Sequence, residues 1–269
     1  MKYYLYNPLS NNGIPANAPG AELIDATKTD YPAFFAGLKE EDEVVLIGGD
    51  GTINYLVNHI DPARIKNNVY LFGSGTGNDF LNDINEKTGK EILLNPYLVN
   101  LPTVWVKGKD YKFINNMSFG IDGYVCEEAD RIKAKTPNKK INYTTIAVKG
   151  LLFKFKPRHV WLNVDGKDYE FDNVWLAPTM HGRYVGGGMM IAPAQDRMSD
   201  SLTVIIYSCR SRLKSLKIFP LIFEGKHVEH KDVVSVFTGR KVHVRFSHPC
   251  AAQIDGETIL NVTEYTAEL

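Results

Sequence analysis

A short apolar run that ends in glycines and restarts as a helix constrains this chain most: Glu43-Val-Val-Leu-Ile47-Gly48-Gly49-Asp50-Gly51-Thr52-Ile-Asn54. Val44, Val45, Leu46 and Ile47 have the β-branched character of a strand buried on both faces, as inside a parallel sheet. Gly48, Gly49 and Gly51 allow a tight turn and bring bare backbone N–H groups close to a ligand. Beyond them Ile53, Leu56, Val57 and Ile60 recur at helical spacing over residues 52–60. A helix starting there aims its N-terminus at the turn, which favours a phosphate. Asp50 is out of place in a bare anion site, because a carboxylate repels phosphate. A metal ion or a sugar hydroxyl lying between them accounts for it.

A second unit of the same kind follows. Val69-Tyr-Leu-Phe72 predicts a strand that runs into Gly73-Ser74-Gly75-Thr76-Gly77-Asn78-Asp79-Phe80. One such loop is common. Two in succession, each with Asp and with Thr or Asn, read as two lips of one nucleotide-phosphate site. Neither continues into the Gly-Lys-Ser/Thr of a Walker loop, and neither has the spacing of a dinucleotide fold. Upstream, residues 2–6 predict a first strand that ends in the polar turn Asn7-Pro8, and residues 33–38 a short helix. The link from the first strand to the Gly48 strand reads as short for a full crossover, so the first unit is expected to be trimmed.

Composition excludes several classes. The chain has 269 residues, enough for one large or two modest domains. Lys+Arg and Asp+Glu are equal at 31 each, which gives no sign of nucleic acid. Cys126, Cys209 and Cys250 fit neither a disulfide framework nor a metal site, and suggest a reducing compartment. No apolar run reaches the roughly 18 residues of a membrane span, and residues 1–6 read as a strand rather than a leader. The expected location is cytoplasmic, with peripheral membrane association.

The two glycine loops together resemble the diacylglycerol kinase catalytic domain family, which includes bacterial lipid kinases and the sphingosine and ceramide kinases. Asn7-Pro8 resembles that family's opening turn, although Ser10-Asn11-Asn12-Gly13 stands in place of the usual Ser-Gly. Downstream, Gly186-Gly187-Gly188-Met189, Ala192-Pro193 and the turn Asp255-Gly256-Glu257 continue the match. The first glycine motif is shared with NAD kinases, whereas the second is more particular to lipid kinases.

The resemblance implies an α/β + β fold. A three-layer, Rossmann-like α/β domain would span residues 1–100, with the chain end 258–269 returning to it. A β-sandwich-like domain would span 101–257, with the active site in the cleft between the two. Hairpins predicted at residues 104–114 and at 160–177, the latter turning at Asp165-Gly166, agree with a β-rich second half.

The implied activity is transfer of the ATP γ-phosphate to a lipid hydroxyl, with Mg²⁺. Asn7, Gly48, Gly49, Gly51, Thr52, Gly75, Thr76, Gly77 and Asn78 would surround the nucleotide. Asp50 would contact the metal, Asp122 the metal or the acceptor, and Glu257 would serve as the base. Asp122 reads equally well as a helix cap, and so does Asp79. Asp200, with Asp196 as a helper, matches an aspartate that holds a structural metal in some bacterial members, although Ser201 replaces the family's glycine. His181 reads as a phosphate ligand or, more commonly, as a surface hydrogen-bonding residue. Two alternatives stay open: an NAD kinase-like small-molecule kinase, and a catalytically degenerate regulator that binds nucleotide or lipid.

Residues 131–159 carry nine Lys or Arg and no acid, interleaved with Ile141, Tyr143, Ile146, Leu151, Phe153 and Phe155. A basic amphipathic helix of this kind suits an anionic membrane surface, and equally a solvated helix whose apolar side lies in the core. Arg210, Arg212, Lys214 and Lys217, just before Ile218, offer a second contact. The expected partner is thus a lipid at a membrane surface, without nucleic acid, and the resemblance leaves room for a homodimer.

Overall fold

The computed structural model describes residues 1–8, 22–74, 78–136 and 141–269. The expectations placed on residues 10–13, on Gly75, Thr76 and Gly77, and on Lys139 and Lys140 lie outside the described residues. The chain divides into two units, Met1–Leu101 and Pro102–Leu269.

The first unit is built on β1 (Lys2–Tyr6), β2 (Glu22–Asp25), β3 (Glu43–Gly48), β4 (Asn68–Gly73) and β5 (Glu91–Leu93), in the order β2-β1-β3-β4-β5. β2, β1, β3 and β4 run parallel, and β5 is antiparallel to β4. β3 is central, and Val44, Val45 and Leu46 are fully buried, as an all-apolar run requires. Helices α1 (Tyr31–Gly37) and α2 (Asp50–His59) flank β3 in the chain, and the short α3 (Asp79–Asp83) follows β4. The link from β1 to β3 is therefore not a trimmed crossover, because it contains a strand of its own. Glu-Leu-Ile-Asp of β2 gave no signal, since both residues at its ends are acidic and no residue in it is fully buried.

The second unit is a β-sandwich-like body. Its strands are β6 (Thr103–Val106), β7 (Lys109–Lys112), β8 (Asn116–Gly120), β9 (Arg158–Val164), β10 (Lys167–Met180), β11 (Tyr184–Val185), β12 (Met189–Met190), β13 (Leu202–Ser208), β14 (Val234–Gly239), β15 (Lys241–Ile254) and β16 (Glu257–Glu268). The two long strands organise it. The first halves of β10 and β15 both pair with β9, and their second halves both pair with β8. Register shifts between Phe171 and Val174, and between Arg245 and Ala252, let each strand change partner at its middle. Phe119 lies stacked on Phe246 at 4.4 Å in the resulting core, with Tyr265 beside them.

The chain end departs from expectation. Residues 257–268 form β16, paired with β15 and β6, and so belong to the second unit rather than returning to the first. Val262, Tyr265 and Ala267 are the reason, because they are buried in this core.

The basic stretch 131–159 also departs, as it is not one helix. α5 (Ile121–Lys135) ends inside it, α6 (Tyr143–Lys149) follows, and Gly150–Lys154 is a single wider turn closed by Phe155 N–H on Gly150 O at 2.9 Å. Ala147, Leu151 and Phe155 are buried against Trp175, Tyr207 and Ile218, the last on α7 (Arg212–Ile218). No helix among the described residues is long and apolar enough to cross a membrane.

α5 lies flush on β15 because residue 123 is glycine: a Cβ there would sit 2.1 Å from the Ala251 carbonyl oxygen. That neighbour is strand backbone and cannot swing aside. Gly123→Ala is therefore expected to cost about 1–3 kcal/mol or more by overpacking, read as a lowered midpoint in denaturant titration with an unchanged slope.

Candidate functional site

In the first unit, register brings three turns to one level. Tyr6 pairs with Ile47, and Ile47 with Phe72, so Asn7, Gly48 and Gly73 emerge side by side at the C-terminal ends of parallel strands. That edge is where open α/β sheets bind ligands. Gly48 is fixed by its neighbour, for a Cβ there would lie 1.9 Å from Thr52 Oγ1. The Thr52 side chain is thus folded over Gly48. Gly49 caps α2 without a side-chain hydrogen bond, and Gly51 is exposed with open space about its Cα. Thr52 and Ile53 N–H close on Gly49 O at 2.9 and 3.3 Å, and the N–H groups of the residues before them edge the glycine turn.

Asp50 does something the sequence did not reveal. Its Oδ2 accepts from Asp79 N–H at 2.9 Å, and its Oδ1 from Phe80 N–H at 3.0 Å. The carboxylate of the first glycine loop therefore caps the helix that follows the second. Ser74 N–H adds a bond to Gly48 O at 3.0 Å, so the loops are tied twice. Asp79, weighed as the cap of its own helix, is the first residue of α3 and donates its N–H to Asp50 instead. The preceding Asn78 makes no side-chain cap bond.

In the second unit, the Asp255-Gly256-Glu257 turn joins β15 to β16. Asp255 and Gly256 both have positive φ, 47° and 94°, the left-handed conformation of a tight hairpin turn. The Asp255 carboxylate accepts three backbone N–H groups in succession, from Ile114 at 2.6 Å, Asn115 at 2.8 Å and Asn116 at 2.9 Å. From the other side buried Arg197 donates to Ile114 O and Asn115 Oδ1, both at 2.9 Å. Asn115 O accepts from His181 and Gly182 N–H. His181 is buried, which corrects its reading as a surface residue.

Glu257 sits at the exposed end of this frame, and no hydrogen bond or ion pair engages its carboxylate among the described residues. Gln253, which the sequence gave no reason to select, is buried and holds the turn from within. Its Oε1 accepts from Gly256 N–H at 2.7 Å, and its Nε2 donates to Asp122 Oδ2 at 3.2 Å. A polar residue on the inward face of a strand was its one available signal.

Asp122 lies in the first turn of α5 and also accepts from Gly123 N–H at 2.8 Å, so part of the cap reading holds. Burial pushes its carboxyl up to about 6, against the opposing pull of hydrogen bonds from Ser118, Gln253 and Gly123. Asp196 Oδ1 is taken by Met198 N–H in a local turn, and Asp200 is exposed. Among the described residues no group of three His, Cys, Asp or Glu converges as a metal cage. The 186–188 loop joins β11 to β12 with three successive positive φ values, 66°, 82° and 115°, so each glycine there is needed by the backbone.

A glycine-loop site at the strand ends of an α/β sheet, joined in one chain to a β-sandwich-like unit with a pinned Asp-Gly-Glu turn, defines a class of phosphotransferases. The chain belongs to the family of the YegS C-terminal NAD kinase beta sandwich-like domain, which matches residues 115–266, and residues 20–96 match the diacylglycerol kinase catalytic domain. It is 27% identical over 263 residues to a diacylglycerol kinase of Mycobacterium tuberculosis, covering 89% of this chain and 83% of that one. With a diacylglycerol kinase of Bacillus subtilis it shares 23% identity, over 87% and 76% of the two chains. The fold matches the crystal structure of a diacylglycerol kinase from Bacillus anthracis with a TM-score of 0.63, at 16% identity and over 99% and 92% of the chains. The relatives named here are diacylglycerol kinases, and the chain shares their fold.

The raised carboxyl of Asp122 gives a pH dependence of defined sign. The folded state holds this proton more tightly than the unfolded chain, so stability falls as pH rises from the ordinary 3.8 through about 6. Asp122→Asn is expected to remove that slope and to melt higher relative to wild type above this window than below it. Melting temperature against pH, for both proteins, checks it.

Proposed function

We propose that this protein transfers the γ-phosphate of ATP to the hydroxyl of a membrane lipid, diacylglycerol or a lipid of similar form. The observation that carries this reading is the division of labour among the motif carboxylates. Asp50 and Asp255 are committed to backbone N–H groups, while Glu257, on a turn held from two sides, keeps its carboxylate unengaged. A fixed but uncommitted carboxylate is what an acceptor hydroxyl needs in order to be oriented and relieved of its proton.

Phosphoryl transfer asks mainly for positioning and charge stabilisation. The glycine turn at 48–51 and the first turn of α2 supply N–H donors to the phosphates, and Asn7 and Asn78 border them. The tie through Asp50 fixes the two loops before nucleotide arrives, so less ordering is left to do on binding. Mg²⁺ bound to nucleotide keeps most of its waters and takes one or two carboxylates, so the donor set fits without a protein cage. Asp50, whose two oxygens have four lone-pair sites, would be its protein contact, and the ion would neutralise phosphate charge. Asp122 is assigned to the acceptor side of the second unit.

Glu257→Gln is expected to lower ATP-dependent phosphate incorporation into lipid by about 10²-fold or more, with an unchanged thermal transition, because the side chain is exposed. Labelled ATP offered with diacylglycerol, a sphingoid base, a polyprenol, phosphatidylglycerol and NAD tests both the reaction and the acceptor. Labelling of NAD alone would refute the lipid reading, and full activity of Glu257→Gln would remove the base. Asp50→Ala is expected to abolish activity and also to cost about 1–3 kcal/mol of stability, since two N–H groups lose their charged acceptor.

A further inference from the structure

The basic character expected of residues 131–159 reappears in the folded protein as something smaller and more specific. α7 packs against the wide turn at Gly150–Lys154, and Arg212 ties the two together by hydrogen bonds. Its guanidinium donates to Leu151 O at 2.5 Å and to Phe155 O at 3.0 Å, and lies 4.9 Å from the centre of the Trp175 ring. The carbonyls it grips flank Phe153, and its own neighbour is Leu213. Two segments distant in sequence are thereby joined, and each presents a large apolar side chain to solvent: Phe153 is 75% exposed and Leu213 70%. Their neighbours Leu151, Phe155 and Ile218 are buried in the core, so the outward pair is not a frayed part of that core.

The two segments that carry this pair are basic. Residues 141–159 and 210–223 contain no Asp or Glu. Lys149, Lys154, Lys156, Arg210 and Lys217 are exposed and have no ion-pair partner among the described residues, whereas Lys214 is paired with Asp232. Isolated exposed apolar residues are ordinary on a protein surface. A protruding Phe and Leu on joined segments, framed by five uncompensated cations, are a different case. The arrangement matches the layering of an anionic bilayer, with phosphates outermost and hydrocarbon just beneath.

We propose that the face formed by residues 149–156 and 210–217 docks on an anionic lipid bilayer, with Phe153 and Leu213 entering the interfacial layer and the five cations at the phosphates. The inference rests on the lipid-acceptor reading for its purpose, but its binding test needs neither nucleotide nor turnover. The whole chain is sedimented with vesicles of phosphatidylcholine alone and of phosphatidylcholine with phosphatidylglycerol. Wild type is expected to pellet with the mixed vesicles and to be released by salt. Lys154→Ala with Arg210→Ala is expected to weaken that binding by roughly 25-fold, at roughly fivefold per cation. Phe153→Ser with Leu213→Ser is expected to weaken it comparably, with an unaltered thermal transition that excludes misfolding.

Failure of wild type to pellet overturns the proposal. So does an effect of the charge variants alone, which would mark a site for soluble polyanions. Wild type that pellets in this way but phosphorylates none of the lipids offered refutes the kinase reading while supporting the docking face. Wild type that phosphorylates lipid in detergent micelles but ignores vesicles does the reverse.

Discussion

A carboxylate that accepts successive backbone N–H groups is the interaction on which the loops of both units depend. Asp50 does it for the two glycine loops, closing on Asp79 and Phe80 across 29 and 30 residues of chain. Asp255 does it for the Asp-Gly-Glu turn, closing on residues 114–116 across about 140. Charge-assisted hydrogen bonds of this kind are about twice as strong as neutral ones, and they fall at the first residues of α3 and β8 and on the backbone just before β8. Without them the glycine loop and the Asp-Gly-Glu turn would each be free to sample the wide range of conformations that glycine permits.

This use of aspartate explains why catalytic and structural roles are hard to tell apart by composition. Asp50 among glycines looked like a metal ligand because a carboxylate seemed misplaced beside phosphate. In the folded chain both its oxygens face N–H groups of a neighbouring loop, which lowers the repulsion it would offer an incoming anion. Its position is therefore compatible with phosphate even before any metal is considered. Asp122 illustrates the other extreme. Its burial outweighs the hydrogen bonds from Ser118, Gln253 and Gly123, and its proton is accordingly held to about 6.

Much of the first unit was legible because its signals are local. The apolar run of β3 and the glycines after it announce strand, turn and helix within a dozen residues, and the parallel register then follows from the sheet. β2 and β5 were not legible, as each is a short edge strand with acidic residues and no buried stripe. The C-terminal strand was recognised, but its destination was not. Nothing in Val262, Tyr265 and Ala267 says which of two cores they fill. The same limit applied to residues 131–159, where helical spacing of apolar residues hid a break into α5, α6 and a wide turn. Asp50, Asp122 and Glu257 could be chosen from motif alone. Arg197 and Gln253 could not, because their partners lie 82 and 131 residues away.

Gln253 shows how the second unit holds the turn that bears Glu257. An amide accepts at one atom and donates at another without carrying charge. Here it accepts from Gly256 and donates to Asp122, so the turn bearing Glu257 is coupled to the first turn of α5. A carboxylate at 253 would place a second negative charge against Asp122, and an aliphatic residue would leave the Gly256 N–H without its side-chain acceptor. The residue that no motif contains is therefore as constrained as those the motif names. The constraint comes from geometry: a two-residue hairpin turn can aim Glu257 only if both the carboxylate at its first position and the amide behind it hold still.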